Sequence, residues 1–208
     1  MSPVPDPRDD LQLVQAWRGG DRAAGAELLT RHFDAIFGFF RTKLAAQAED
    51  LTQQTFLRCV ESREVLRGHG VRTYLWAIAR NLLCDHLRAG ARRPELVDFD
   101  VVSLADLDPD PAVWVVEREE HKLLIHALRR LPLDLQLALE LYYVQQLRGP
   151  EVAAVLGVPL GTGRSRVRRG IERLQREMEA LSNSPQHVRT TLTDLQRWAS
   201  EVRGCGTV

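Results

Sequence analysis

Residues 151–170 read EVAAVLGVPLGTGRSRVRRG. Pro150, just after Gly149, is preorganised for a first helical turn, since the N–H it lacks has no intrahelical partner there. The short helix that follows carries Ala153 and Ala154, small enough for a second helix to approach closely, and Gly157 supplies the tight turn after it. Val158 to Gly161 then lead to Thr162, expected as the hydroxyl cap of the next helix. This layout is a helix-turn-helix, in which the start of the second helix lies in the major groove of DNA.

What stands at that start is basic. From Gly163 to Arg176 there are six Arg against Glu172 alone, a stripe suited to phosphates and to bidentate guanine contacts. Thr162, Arg164, Ser165, Arg166, Arg168 and Arg169 are the candidate duplex-reading residues.

Outward from this motif the chain reads as helix almost throughout. Upstream, a helix is expected from about Glu117 to Arg130, a break at Leu131-Pro132, and another through Leu135, Leu139, Leu141 and Tyr142. In the N-terminal half, Asp9 and Asp10 can cap a short helix ending at Gly19-Gly20, and Asp21 a longer one to about Leu44. Leu28, Leu29, Phe33, Ile36, Phe37, Phe40 and Leu44 recur at three- and four-residue steps and are expected as one core-facing surface. Helices over about 48–62 and 70–89 complete a four-helix domain. The second of these interleaves Arg72, Tyr74, Trp76, Arg80, Asn81, Asp85 and Arg88, and rings among cations suit single-stranded DNA.

Over its 208 residues the chain carries 28 Lys and Arg against 28 Asp and Glu, which excludes a uniformly basic nucleic-acid coat. The zero divides unevenly: +3 over residues 1–93, −8 over 94–120 and +5 over 121–208. The acidic connector ELVDFDVVSLADLDPDPAV, bracketed by Pro94, Pro109 and Pro111, shows no persistent helical period. Its Val, Leu and Phe content predicts that it packs on something, and its charge predicts weak DNA binding by the free protein.

No apolar run approaches the ~18 residues that span a bilayer, and no leader pattern opens the chain, so a cytoplasmic protein without membrane insertion is expected. Cys59, Cys84 and Cys205 are far apart and outside metal-ligand spacing, and the six His are scattered. With no GxSxG, HExxH or Walker-type loop, neither enzyme, metal nor cofactor is indicated.

Several stretches, in order, resemble the extracytoplasmic-function (group IV) branch of the bacterial sigma-70 family. They are RHFDAIFGFFRTKL (31–44), EDLTQQTFLR (49–58), RTYLWAIARNLLCDHLR (72–88), LRRLPLDLQLALELYY (128–143) and the helix-turn-helix. The resemblance implies an all-α protein of two small helical domains. Residues 9–93 would be a region 2-like domain, 94–116 an acidic linker, 117–182 a region 4-like domain and 183–208 an extension outside the family core. It implies that Asp50, Leu51, Gln53, Gln54 and Phe56 dock on the β′ clamp helices of core RNA polymerase, the β flap being a further contact. The residues from Arg72 to Arg88 would hold the opened −10 element, and those from Thr162 to Arg169 would read the −35 element. The linker would run toward the polymerase active-site channel. It also implies an anti-sigma factor and a chain that is monomeric when free. A free-standing helix-turn-helix regulator is the alternative, though it needs a dimer interface that the sequence does not advertise. Two positions depart from the family pattern. Gly163 stands where GTV(K/R)SR has a β-branched residue, which costs about 1 kcal/mol of helix propensity. Pro150 replaces a more helical residue.

Overall fold

In the computed structural model the Asp21 carboxylate accepts from the Ala23 amide at 2.9 Å and from the Ala24 amide at 3.2 Å. It so starts the second helix where expected. The structure describes residues 7–62, 70–91, 93, 95, 97–107 and 119–181. The tail 183–208, with Cys205 and its helically spaced apolar residues, lies outside them. Among the described residues the elements are α1 (Pro7–Arg18), α2 (Arg22–Arg41), α3 (Ala48–Glu61), α4 (Val71–Gly90), α5 (Leu104–Leu107), α6 (Glu119–Arg129), α7 (Leu133–Leu139), α8 (Gly149–Leu156) and α9 (Leu160–Leu181), with no strand. Two compact units divide them, one through Asp85 and one from His86 onward.

In the N-terminal unit α1 begins at Pro7, so Asp10 lies within the helix and not at its cap. Its carboxylate takes the His32 Nε2 at 2.8 Å and the Arg31 Nη1 at 2.7 Å, pinning α1 to α2. Burial pushes the Asp10 carboxyl up, but the hydrogen bonds and charges of His32 and then Arg31 outweigh it and hold the group below the ordinary carboxylate range. The stability this pair contributes is therefore present above the ordinary carboxylate pKa and lost as pH falls through the lowered one. Leu28, Ile36, Phe39 and Phe40 of α2 and Val71, Leu75, Trp76 and Leu83 of α4 are buried, and Phe39 meets Trp76. Phe33 is a correction: it is 46% exposed instead of turned inward. Cys59 and Cys84 are buried as reduced thiols, and burial pushes Cys59 up to about 11.

In the C-terminal unit Leu124, Ile125, Leu131, Leu135 and Leu139 enclose Leu174 and Met178 of α9. The Glu140–Val144 segment continues α7 as a π turn. The described part of the connector, residues 97–107, is more ordered than its sequence suggests. The Val102 carbonyl accepts from the Leu133 amide at 3.0 Å and the Phe99 carbonyl from the Asp134 amide at 3.1 Å. Phe99 and Leu104 are buried, and α5 adds a helical turn. The expectation that the connector's apolar residues pack on something holds for these two, and the short turn of α5 is the addition.

Candidate nucleic-acid interface

The turn between α8 and α9 closes as the sequence proposes. Gly157 sits in the left-handed region at φ 67°. The Val158 amide returns to the Ala153 carbonyl at 3.0 Å, and the Gly157 amide to the Ala154 carbonyl at 3.2 Å. At the other end of α8 the Arg148 amide donates to the Glu151 carboxylate at 2.7 Å, with Pro150 in the first turn. α9 starts three residues earlier than expected. Its first bond runs from the Gly163 amide to the Pro159 carbonyl at 3.0 Å, so Thr162 lies inside the first turn and is not the cap.

Gly163 is where α8 and α9 touch. A Cβ there would lie 2.8 Å from the Ala153 Cβ and 3.1 Å from its Cα, closer than real contacts allow. The glycine therefore gives up helix propensity for a closer helix crossing. Gly163→Val is expected to destabilise the C-terminal unit by about 2 kcal/mol through overpacking, with Ala153→Gly restoring part of the loss. Thermal melts of the single and double variants check this, and an unchanged midpoint for Gly163→Val would contradict the close crossing.

Of the basic stripe, Thr162, Arg164, Arg168 and Arg169 are exposed and Ser165 is half-buried. Arg168 pairs with Glu172 at 3.2 Å, whereas Arg164 and Arg169 have no carboxylate partner among the described residues. Arg166 is different. Three residues after Gly163 and four before Gly170, it falls on the inward side of the helix. It is only 6% exposed. Its Nη2 lies 2.8 Å from Asp134 Oδ2 and 3.0 Å from Asp100 Oδ1. The structure thus places Arg166 in an internal ion pair and not on the exposed side of α9.

On α4, Asn81, Asp85 and Arg88 are exposed, and Arg72, Tyr74 and Arg80 are half-buried. The Arg80 Nη1 lies 3.3 Å from Asn81 Oδ1. Arg88, counted with the C-terminal unit, lays its guanidinium 4.8 Å from the Phe99 ring centroid. Trp76 is 2% exposed. It meets Phe39 edge-on at 5.3 Å between ring centroids. It is therefore a core residue and not a platform for a base.

On α3, Asp50, Gln53 and Gln54 are exposed, Leu51 is buried and Phe56 is half-buried. Phe56 stacks on Phe33 at 6.0 Å, which stacks on Phe37 at 5.9 Å. Leu57, 52% exposed, and Val60 extend this apolar strip. Sequence reasoning passed over Leu57 and assigned Phe33 to the core. The signal was available for Leu57, which stands four and three residues beyond Gln53 and Gln54 on the same face.

Family models for Sigma-70 region 2 and for Sigma-70, region 4 match residues 28–93 and 121–174. The ECF RNA polymerase sigma-E factor of Escherichia coli is 28% identical over 182 residues, 83% of this chain and 95% of that protein. The RNA polymerase sigma-H factor of Pseudomonas aeruginosa is 30% identical over 183 residues, with the same coverage of 83% and 95%. The chain belongs to the extracytoplasmic-function branch of the sigma-70 family. A solved structure of CnrH in complex with the cytosolic domain of CnrY shares the fold, with TM-score 0.59 at 19% identity over 84% of this chain and 99% of that one. As a sigma factor the protein directs core RNA polymerase to promoters and assists their opening. Core polymerase and promoter DNA are its partners, and sigma factors are initiation factors and not enzymes in themselves. Among the described residues no helix is long and apolar enough to cross a membrane.

Proposed function

We propose that the exposed edge of α3, formed by Asp50, Gln53, Gln54, Leu57 and the half-buried Phe56, docks on the β′ clamp helices of core polymerase, with the β flap as a second contact. The polar residues would set register, while the Phe33–Phe56 stack and Leu57 supply apolar area. Arg72, Tyr74, Arg80, Asn81, Asp85 and Arg88 of α4 would hold the separated −10 strand through cations and a ring. Thr162, Arg164, Ser165, Arg168 and Arg169 would read the −35 duplex. Leu51, Trp76 and Arg166 have no part in this assignment, because each is buried. The domain limits in this reading are 9–93, 94–116 and 117–182, with an anti-sigma factor as regulator and a monomeric chain in the cytoplasm when free. The linker would leave the C-terminal unit and enter the active-site channel on assembly.

The observation that carries this reading is the left-handed Gly157 turn joined to the Gly163 crossing, which leaves Arg164, Arg168 and Arg169 outward at the start of α9. Run-off transcription of genomic fragments with core polymerase tests it, since the mapped start sites yield the promoter words. Combining Arg164→Ala, Arg168→Ala and Arg169→Ala is expected to lower promoter-directed transcription by about a hundredfold, at roughly 1–3 kcal/mol per lost bidentate contact, with core binding unchanged. Full transcription by this variant would sink the assignment.

A further inference from the structure

Leu160 opens α9 and is 39% exposed. Among the described residues it is the only large apolar side chain of α8 and α9 left so open, whereas Val152, Val155, Leu156, Leu174 and Met178 of the same helices are buried. An exposed leucine on a solvated face is ordinary. This one stands at the leading end of the helix that reads the duplex, and helical side chains lean toward the N-terminus, so it projects ahead of α9.

Its surroundings are uncharged and open on one side and braced on the other. Residues 152–163 carry no charged side chain, so nothing ahead of Arg164 in the motif draws phosphate through a side chain. A Cβ on Gly161 would meet nothing within 4 Å, which leaves the first turn of α9 accessible beside Leu160. A Cβ on Gly149 would lie 4.0 Å from the Leu160 Cδ1, 3.9 Å from the Arg164 Cγ and 3.8 Å from the Arg164 Nε. The two side chains therefore gather at the start of α8, four residues apart on adjacent turns of one helix face. Four residues cover about 6 Å along a helix, and base pairs repeat about every 3.4 Å.

We propose that Leu160 is a specificity-determining residue of this sigma factor: its exposed isobutyl end packs on the methyl group of a thymine in the major groove, within about two base pairs of the pair that Arg164 reads. The inference rests on the reading of α9 as the duplex-recognition helix. Of the groups that base pairs present in the major groove, the thymine methyl is apolar and the others are donors and acceptors. An isobutyl group laid on a donor or acceptor strips its water and returns no hydrogen bond, which costs free energy. Laid on the methyl, it removes apolar area of both partners from water. The two effects act in the same direction and favour thymine.

The test uses holoenzyme assembled from core polymerase and the full chain, bound to duplexes that carry the promoter words found by run-off transcription. Each −35 thymine is replaced in turn by deoxyuridine, which removes one methyl group and leaves the donors and acceptors of the base unchanged. By fluorescence anisotropy the parent is expected to lose about fourfold in affinity at one thymine, the worth of one buried methyl, and little at the others. That thymine is expected within about two base pairs of the position where Arg164→Ala loses discrimination. Leu160→Ala is expected to bind the thymine and uracil duplexes alike, and Leu160→Met, apolar and of similar volume, to keep the difference. Leu160→Gln, polar at its end and of similar length, repeats the measurement if Leu160→Ala folds poorly. A parent indifferent to every methyl overturns the inference and needs no variant to fold. So does a Leu160→Ala as methyl-dependent as the parent, which reduces Leu160 to a brace for Arg164, or one weakened equally on all duplexes through lost core affinity. The Arg164, Arg168 and Arg169 triple variant separates the two readings. Its loss of promoter binding beside an indifferent parent rejects this inference alone, whereas its full retention of binding rejects the α9 reading as well.

Discussion

Arg166→Ala is expected to destabilise the C-terminal unit by about 3–5 kcal/mol, because it removes the buried guanidinium that lies 2.8 Å from the Asp134 carboxylate. At roughly 4–8 °C per kcal/mol for a domain of this size, the melting midpoint should fall by roughly 12–40 °C. The effect belongs to the folded core and not to the groove, so transcription should fail through loss of the domain. Replacing both partners, Arg166→Met with Asp134→Leu, should recover most of the stability, since an apolar pair of similar volume takes both charges of the pair out of the interior. Circular-dichroism melts of the three proteins decide the matter. A fully stable Arg166→Ala that has lost promoter recognition would return this residue to the DNA-reading set.

Trp76→Ala is expected to cost the N-terminal unit about 3–5 kcal/mol, the loss typical of a large ring removed from a closed core. The indole is fully enclosed and Phe39 meets it edge-on, so the deletion opens a cavity and ends an aromatic contact together. Trp76→Phe keeps a ring in the site and should restore much of the difference. Urea unfolding followed by far-ultraviolet circular dichroism measures it. A base-stacking role would instead give a stable Trp76→Ala with impaired promoter opening.

These two residues show where the sequence was a good guide and where it was not. Asp21 and Gly157 could be read directly, because a capping carboxylate and a left-handed glycine act through neighbours two to five residues away. The same holds for α3, read as 48–62 and found as Ala48–Glu61. Arg166 and Trp76 could not be placed that way. Arginine suits a solvated face and a buried pair equally, and its carboxylates come from 32 and 66 residues away in the chain, at Asp134 and Asp100. Interleaved rings and cations on α4 have the composition of a strand-binding surface, but the helical phase puts Trp76 with Leu75, Ile78 and Ala79 in the core. Gly163 looked like a weakness in a recognition helix until the distance to Ala153 explained it. The acidic connector read as packing on something, but its bonds to α7 could not be placed, because such bonds leave no periodic trace in sequence.

The buried thiols of the N-terminal unit have a consequence for how its motions can be followed. A Cys59 that titrates only at about 11, in a closed interior, reacts through the open form of its surroundings. Alkylation of Cys59 and Cys84 in the native protein thus serves as a clock for local opening, its rate set by the fraction of time the α3–α4 interior admits reagent. Read with and without core polymerase, that clock would report how tightly docking shuts the helical core of the N-terminal unit.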